Sequence, residues 1–320
     1  MRISKEIFGD IKKEISKAIV GQEEVIEQLL ITLLSDSHAL LQGLPGLGKT
    51  MMIRTFSKVL DLEFSRIQCT PDVMPSDITG TYIIEEDKIT KTKKFVFSEG
   101  PIFTNIVLAD EINRATPKSQ SALLECMQER QVTVGKTTFK LPTPFLVLAT
   151  QNPIEMEGTY PLPEAQLDRF MLMILIDYPD REEEMNIVRL YTKNQEPSVR
   201  KILSRNELIE LQKLARMIPI ASDIEEYAVS LIASTRPNSN HASKVAKKYI
   251  EYGASPRASI SLILASKARS LIHGRTYVSE EDIKKMMFPV LRHRLILNFE
   301  AEAQGISTDE VIRSILEEVS

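Results

Sequence analysis

The chain has 320 residues, 43% of them hydrophobic and 26% charged, with a formal net charge of −4. That apolar content can bury a full core, which excludes a disordered chain, and the length predicts about two domains, or one with a sizeable appendage. The acidic balance argues against a protein devoted to coating duplex nucleic acid, leaves local basic patches open, and names no partner of its own.

Cys69 and Cys126 are the only cysteines. They are too few and too isolated for a disulfide scaffold or a zinc site, so a reducing interior is expected and both read as small buried apolar residues. Met1-Arg2-Ile3-Ser4-Lys5-Glu6 leads into a charged amphipathic stretch instead of an apolar signal core. The apolar run Met171 to Ile176 is far short of the roughly 20 residues that span a bilayer. The expectation is a cytoplasmic protein without membrane insertion.

Ile11, Ile15, Ala18 and Ile19 recur at helical spacing, and a second helical pattern runs from Glu23 through Leu34, with Val20-Gly21-Gln22 between them. The apolar run His38 to Gln42 then meets Gly43-Leu44-Pro45-Gly46-Leu47-Gly48-Lys49-Thr50, which fits G-x-x-x-x-G-K-[ST] at every fixed position and opens the helical segment Lys49 to Leu60. Backbone N–H groups of such a turn converge on the α and β phosphates, Lys49 reaches the β and γ phosphates, and the Thr50 hydroxyl binds Mg²⁺. A nucleoside triphosphate is the predicted ligand. Its expected contacts along this stretch are Gly43, Pro45, Gly46, Leu47, Gly48, Lys49, Thr50 and Met51.

Leu62 to Gln68, Ile106 to Asp110, Phe145 to Thr150 and Met171 to Ile176 join His38 to Gln42 as five predicted strands, each of a length that suits burial on both faces. Helical segments such as Pro117 to Glu129 separate most of them, the alternation of a parallel sheet covered by helices. Two interruptions read as hairpins. Thr81 to Phe97 has β-rich ends, Tyr82-Ile83-Ile84 and Phe95-Val96-Phe97, around Glu85-Glu86-Asp87-Lys88. Gln131 to Leu141 alternates Val132, Val134 and Phe139, Leu141 around Gly135-Lys136. Ordinary surface excursions and grips on a partner are equally open readings of both. Lys91, Lys93 and Lys94 read as a solvated edge that discourages sheet pairing.

Ile106-Val107-Leu108-Ala109-Asp110-Glu111 delivers two adjacent carboxylates at the carboxyl end of a strand, where open α/β sheets bind ligands. Asp110 is placed to hold Mg²⁺ through the ion's bound water beside Thr50, and Glu111 to orient and polarise an attacking water. A single acid would suit binding; two suit hydrolysis. The next strand ends at Gln151-Asn152-Pro153, and the Asn152 amide can donate to a γ-phosphate while accepting from the nucleophilic water.

Beyond Tyr178-Pro179 strand-like runs vanish and helical periodicity dominates, in Leu208 to Leu214, Ala228 to Ala233, Ile260 to Ile272, Ile283 to Leu291 and Val311 to Val319. The predicted division is an α/β nucleotide-binding core at 1–178 and a helical lid at 179–320. His38, His241, His273 and His293 do not cluster in sequence and read as core or surface residues.

The set Gly43 to Thr50, Asp110-Glu111, Asn152, Leu167-Asp168-Arg169-Phe170 and Gly253-Ala254-Ser255-Pro256-Arg257-Ala258 resembles the AAA+ ATPases. Within them, Ala109 to Ala115 and Glu157 to Phe170 resemble the MoxR family, and the likeness runs from Val20-Gly21-Gln22 to the segment Val290 to Leu295. The resemblance implies a P-loop NTPase sheet sandwiched by helices with a C-terminal helical lid. It also implies that the hairpins correspond to inserts shared with the magnesium chelatase ATPase subunit. ATP and Mg²⁺ are the implied cofactors, with Val20, Gly21 and Gln22 at the adenine. Arg169 matches the arginine finger that reaches a neighbouring subunit's γ-phosphate, with a salt bridge to Asp168 as its alternative, and Arg114 is a second candidate at the subunit boundary. Arg257 matches the sensor-2 arginine, at a helix start that fixes its side chain while a lid moves. The implied assembly is a homo-oligomer, a hexameric ring, with a client protein and a von Willebrand A-domain partner. The implied activity is ATP hydrolysis that drives remodelling. A nucleotide-gated scaffold with little turnover and a nucleic-acid-dependent motor are the alternatives.

Overall fold

The computed structural model describes residues 2–86, 93–152, 158–192 and 197–319. Arg2–Ile15 (α1) and Glu23–Leu34 (α2) precede Ala39–Gly43 (β1), Lys49–Val59 (α3) and Phe64–Gln68 (β2). Pro75–Thr79 (α4) leads into a hairpin of Gly80–Glu86 (β3) and Lys93–Glu99 (β4). Then come Ile106–Asp110 (β5), Pro117–Glu129 (α5) and a second hairpin of Gln131–Val134 (β6) and Thr137–Lys140 (β7). Leu146–Gln151 (β8), Glu164–Leu167 (α6) and Leu172–Ile176 (β9) complete this part. The remainder is Arg181–Tyr191 (α7), Arg205–Met217 (α8), Ser222–Ser234 (α9), Lys244–Tyr249 (α10), Ile250–Tyr252 (β10), Pro256–Ile272 (α11), Glu280–Leu291 (α12), Ile296–Leu297 (β11), Phe299–Ala303 (α13) and Thr308–Val319 (α14).

The five strands of the central sheet pair in parallel in the order β2-β5-β8-β1-β9. This is the expected α/β architecture of a helix-covered parallel sheet with two inserted hairpins and a helical lid. Along β5, Ile106 and Leu108 join one apolar cluster, whereas Val107 and Ala109 join another on the opposite face. That period-2 division explains why the strand reads as an unbroken apolar run. The first face packs on α1, α2 and α3, and its cluster continues into the lid through Leu211, Leu262 and Ile283. The second face packs on α5 through Leu123, Leu124 and Met127. On α1, Phe8, Ile11 and Ile15 are buried, each contributing about 1.5–3 kcal/mol of apolar burial.

Helix starts follow the sequence closely. Thr116 accepts from Ser119 N at the start of α5 with Pro117 next. Ser204 and Ser279 make reciprocal caps with Glu207 and Asp282, satisfying backbone N–H groups that the first turn leaves unpaired.

Three expectations need correction. The first helix stops at Ile15; Ala18 and Ile19 are buried from a turn. Left-handed φ values at Gly21 (68°) and Gln22 (59°) follow, and a helix cannot accommodate them. β2 is an edge strand with Arg66 and Gln68 exposed, so it is not buried on both faces. Strands also do not vanish after residue 178, because β10 and β11 pair antiparallel within the helical part.

Tyr82, Ile83 and Ile84 pair with Phe97, Val96 and Phe95 in the first hairpin, and Phe97 stacks on Phe139 of the second with ring centroids 4.2 Å apart. Lys93 and Lys94 are exposed opposite Glu86 and Glu85. Asp87, Lys88 and Lys91 lie outside the described residues, as do Pro153 and Glu157. No helix among the described residues is long and apolar enough to cross a membrane.

Candidate nucleotide site

Because the sheet is parallel, the carboxyl ends of its strands share one edge. The register sets Gln68 beside Asp110, Gln42 beside Gln151, and Gly43 beside Ile176. The glycine loop leaves β1 at Gly43 and enters α3 at Lys49. Gly46 (φ 84°) and Gly48 (φ 72°) are left-handed, a conformation that glycine adopts without steric cost. A Cβ on Gly46 would meet nothing within 4 Å, so backbone conformation, not crowding, calls for glycine there. Gly43 differs: its Cβ would fall 2.6 Å from the Ile176 carbonyl.

Lys49 Nζ donates to the carbonyls of Gly43 (2.6 Å) and Leu44 (3.2 Å). Burial lowers its pKa from the ordinary lysine value, while the charges of Asp110 and Glu111 act in the opposite direction. Gly48 supplies no side-chain cap to α3, so the first N–H groups of that helix face the loop as an anion-binding terminus.

On β5, Asp110 Oδ1 accepts from Thr150 Oγ1 at 2.7 Å. Its Oδ2 accepts from Arg66 through Nη2 at 2.6 Å and Nε at 3.0 Å. Thr150 Oγ1 in turn accepts from Glu111 N at 2.7 Å, tying the ends of β5 and β8 together. Glu111 takes a left-handed conformation, φ 58° and ψ 52°, which costs a non-glycine residue about 1–2 kcal/mol and turns it out of the strand direction. Its Oε2 lies 3.4 Å from Gln68 Nε2 and 3.3 Å from Arg114 Nη1. Asn152 is buried just after β8.

These groups line one cleft of about 530 Å³ in which Lys49, Thr50, Asp110, Glu111 and Asn152 converge with Arg66. Sequence reasoning missed Arg66, Gln68 and Thr150. The available signal was the spacing of Arg66 and Gln68, two polar residues at i and i+2 on a strand read as buried on both faces.

A second, mostly apolar pocket of about 390 Å³ adjoins the cleft across the loop residues Pro45 to Gly48 and Met51. Ile19, Val20, Gln22, Tyr178, Ile187 and Tyr191 form much of its other wall. Gln22 Nε2 donates to Asp177 O at 3.0 Å, and the Tyr191 hydroxyl donates to Ala18 O. Gly21 does not line this pocket. It backs the wall, where a Cβ would come 2.2 Å from Glu183 Oε1. Helix α7, which carries Ile187 and Tyr191, was not expected, although the capping box of Asp180 and Glu183 and the apolar spacing of Ile187, Leu190 and Tyr191 signal it.

Arg169 and Arg257 sit apart from the cleft. Arg169 is exposed and lies against α5, its Nη1 donating to Leu124 O at 3.2 Å. It makes no ion pair with Asp168. That carboxylate pairs instead with two arginines of the helical part, Arg294 at 2.7 Å and Arg257 at 3.2 Å. Arg257 therefore rests on Asp168 and not in the cleft. Arg114 pairs with Glu111 of its own chain.

The histidines occupy core or structural positions. Val147 N donates to His38 Nδ1 at 3.0 Å, so His38 Nε2–H donates to Met127 O, also at 3.0 Å. Burial pushes the His38 pKa down to about 3 and keeps the ring neutral. His293 bonds Phe170 O and His273 bonds Glu27. Both cysteine thiols are buried and pushed up to about 12.

Residues 38–172 match the family described as "ATPase family associated with various cellular activities (AAA)", and residues 242–315 match the AAA lid domain. The chain is 44% identical to the protein named Chaperone MoxR1 of Mycobacterium tuberculosis over 96% of this chain and 80% of that one. It is 41% identical to the uncharacterized protein YeaC of Bacillus subtilis over 98% and 94% of the two chains. A crystal structure of a candidate ATPase from Cytophaga hutchinsonii superposes with a TM-score of 0.92 at 45% identity, covering 99% of this chain and 96% of that one.

Proposed function

The chain belongs to the MoxR family of AAA+ ATPases, and from that premise we propose that it binds ATP with Mg²⁺ and hydrolyses it to remodel or mature a partner protein complex. The observation that carries the reading is the convergence of the glycine loop, the Asp110-Glu111 pair and Asn152 in one cleft beside an apolar pocket. An apolar slot next to a cationic, N–H-rich cradle matches a purine joined to a polyphosphate.

The residues present also fit a magnesium ion that arrives with phosphate oxygens. Thr50 and Asp110 supply hard oxygen donors, and among the described residues no group of three His, Cys, Asp or Glu side chains stands ready to hold a metal alone. That is the donor set expected for a small, strongly hydrated cation shared with substrate phosphates. When bound, Mg²⁺ neutralises phosphate charge.

In this reading Lys49 holds the terminal phosphates, Glu111 polarises the attacking water, and Asn152 orients it. Gly43, Pro45, Gly46, Leu47, Gly48 and Met51 shape the phosphate and base contacts. Val20 and Gln22 wall the adenine, with Gly21 behind them. Arg169 acts on the nucleotide of a neighbouring subunit, which its exposure away from the chain's own cleft favours. Arg257 leaves Asp168 for the γ-phosphate as the lid moves. The working assembly is then a hexameric ring in the cytoplasm, with a client and a von Willebrand A-domain partner. Its core is residues 1–178 and its lid 179–320.

A second reading, a scaffold that binds ATP and turns it over slowly, is favoured by one observation: Asp110 and Arg257 are both engaged by internal ion partners. A nucleic-acid motor draws no comparable support from a chain of net charge −4. Substitution Glu111→Gln separates the first two readings. Retained ATP binding with turnover lowered at least ~10²-fold supports the hydrolytic motor. Unchanged turnover would remove Glu111 from the mechanism, and negligible wild-type turnover at high protein concentration, with and without client, would favour the scaffold.

A further inference from the structure

Arg66 belongs to none of the motifs that define the nucleotide site, yet it lines the cleft beside Lys49 and Thr50. It projects from the edge strand β2, two residues before Gln68, whose register partner is Asp110. Both Nε and Nη2 end on a single oxygen, Asp110 Oδ2, and Nη2 also donates to Gln68 Oε1. With Thr150 on Oδ1, the Asp110 carboxylate has three donors and a full counter-charge. The carboxylate side chain is 14% exposed and the guanidinium side chain 45%, so the arginine has an open path away while the acid stays in place. With so exposed an arginine the pair adds little to stability, about 0–1 kcal/mol, so drawing the guanidinium off Asp110 costs little.

We propose that Arg66 is a positioning residue that occupies the cation face of Asp110, so that Asp110 receives a divalent metal only when a polyphosphate enters and draws the guanidinium onto itself. The inference rests on the reading of Asp110 as the metal-holding carboxylate. Its physical basis is charge competition: a divalent cation approaching Asp110 alone meets a fixed positive charge on the same oxygen. One approaching with a nucleotide brings anionic oxygens that give the guanidinium a new partner. Metal and nucleotide binding are thereby coupled through one side chain.

The test is Mn²⁺ binding to the full chain, followed by electron paramagnetic resonance with and without saturating ADP. Without nucleotide, Arg66→Gln is expected to bind Mn²⁺ roughly tenfold more tightly than wild type, and with ADP the difference should shrink to about threefold or less. Arg66→Lys keeps the charge but loses the paired Nε and Nη2 donors, so its nucleotide-free affinity should lie between wild type and Arg66→Gln, nearer wild type. It also provides a folded comparison if the glutamine variant proves unstable, because neutralising the charge, not altering the fold, must produce the effect. Equal nucleotide-free affinity in Arg66→Gln and wild type, or tightening in Arg66→Lys as large as in Arg66→Gln, overturns the inference. The underlying reading fails separately, and takes the inference with it, if wild type binds no Mn²⁺ with ADP or if Asp110→Asn binds it equally well.

Discussion

Asp168 and Arg294 bolt the helical lid to the sheet: Arg294 Nε donates to Asp168 Oδ1 at 2.7 Å, and only 2% of the arginine side chain is exposed. The same guanidinium donates to the carbonyls of Met171 and Phe170 just before β9, so its charge is satisfied by backbone dipoles as well as by the acid. Removing one partner of a buried pair leaves the other charge uncompensated. Asp168→Ala is therefore expected to lower unfolding free energy by about 3 kcal/mol, read from urea denaturation. Arg294→Met, which removes the buried charge itself, should cost less than Asp168→Ala. Equal losses would mean that the ion pair is not what holds this junction.

The position of Arg169, exposed beside the acid that binds the lid, bears on the subunit boundary. If its guanidinium acts on a neighbour's nucleotide, Arg169→Ala should keep ATP affinity within about twofold and lower turnover by roughly 10³. Specific activity of wild type should rise with protein concentration. Mixing Arg169→Ala with Glu111→Gln subunits should restore part of the activity, because some mixed interfaces combine an intact finger with an intact acid. A mixture no more active than its components, together with concentration-independent wild-type turnover, would return the site to a single chain.

How much of this was legible in the sequence depended on how local the cause was. β5 and α5 were readable to the residue, because an apolar run ending in two acids and a Thr-Pro cap each fix an element without tertiary help. The gathering of Lys49, Asp110, Glu111 and Asn152 was readable too, since parallel strands bring their carboxyl ends to one edge. What could not be read was pairing across distance. That Asp168 would take Arg294 and Arg257 in place of Arg169 depends on where α11 and α12 dock. That Arg66 would reach Asp110 depends on β2 being the edge strand, a matter of sheet order that the pattern of one strand does not carry. Helix α7 was legible and overlooked: the Asp180–Glu183 capping box opens it, and Ile187, Leu190 and Tyr191 recur at helical spacing.

The wall behind the apolar pocket offers a test of whether that pocket takes the nucleotide base. Gly21 has φ 68°, and a Cβ there would fall 2.2 Å from Glu183 Oε1. Glu183 also closes the cap of α7, whose first turn it shares with Asp180. Gly21→Ala therefore imposes about 1 kcal/mol of backbone strain and pushes Glu183 out of its cap. ADP affinity, measured by titration with a fluorescent analogue, should weaken by about tenfold, while thermal stability falls only slightly. Wild-type affinity in this variant would separate the 20–22 loop from nucleotide binding.

His38 gives the fold a defined acid limit. Its ring is neutral because Val147 N donates to Nδ1 and leaves Nε2–H for Met127 O, and burial, with Arg130 nearby, holds its pKa at about 3. In the unfolded chain the ring titrates near 6.5. Between these values the unfolded state binds the extra proton, so the contribution is fully present above about pH 6.5 and is lost progressively as pH falls toward 3. At pH 5 the loss amounts to about 2 kcal/mol. His293, buried and shifted in the same direction, adds to it. Glutamine can reproduce both hydrogen bonds without titrating. The expected outcome is that His38→Gln matches wild type within about 1 kcal/mol at pH 7.5 and shows a shallower loss of stability down to pH 5, as measured by urea unfolding across that range. Parallel curves for the two proteins would mean that His38 is not the group that sets the acid limit.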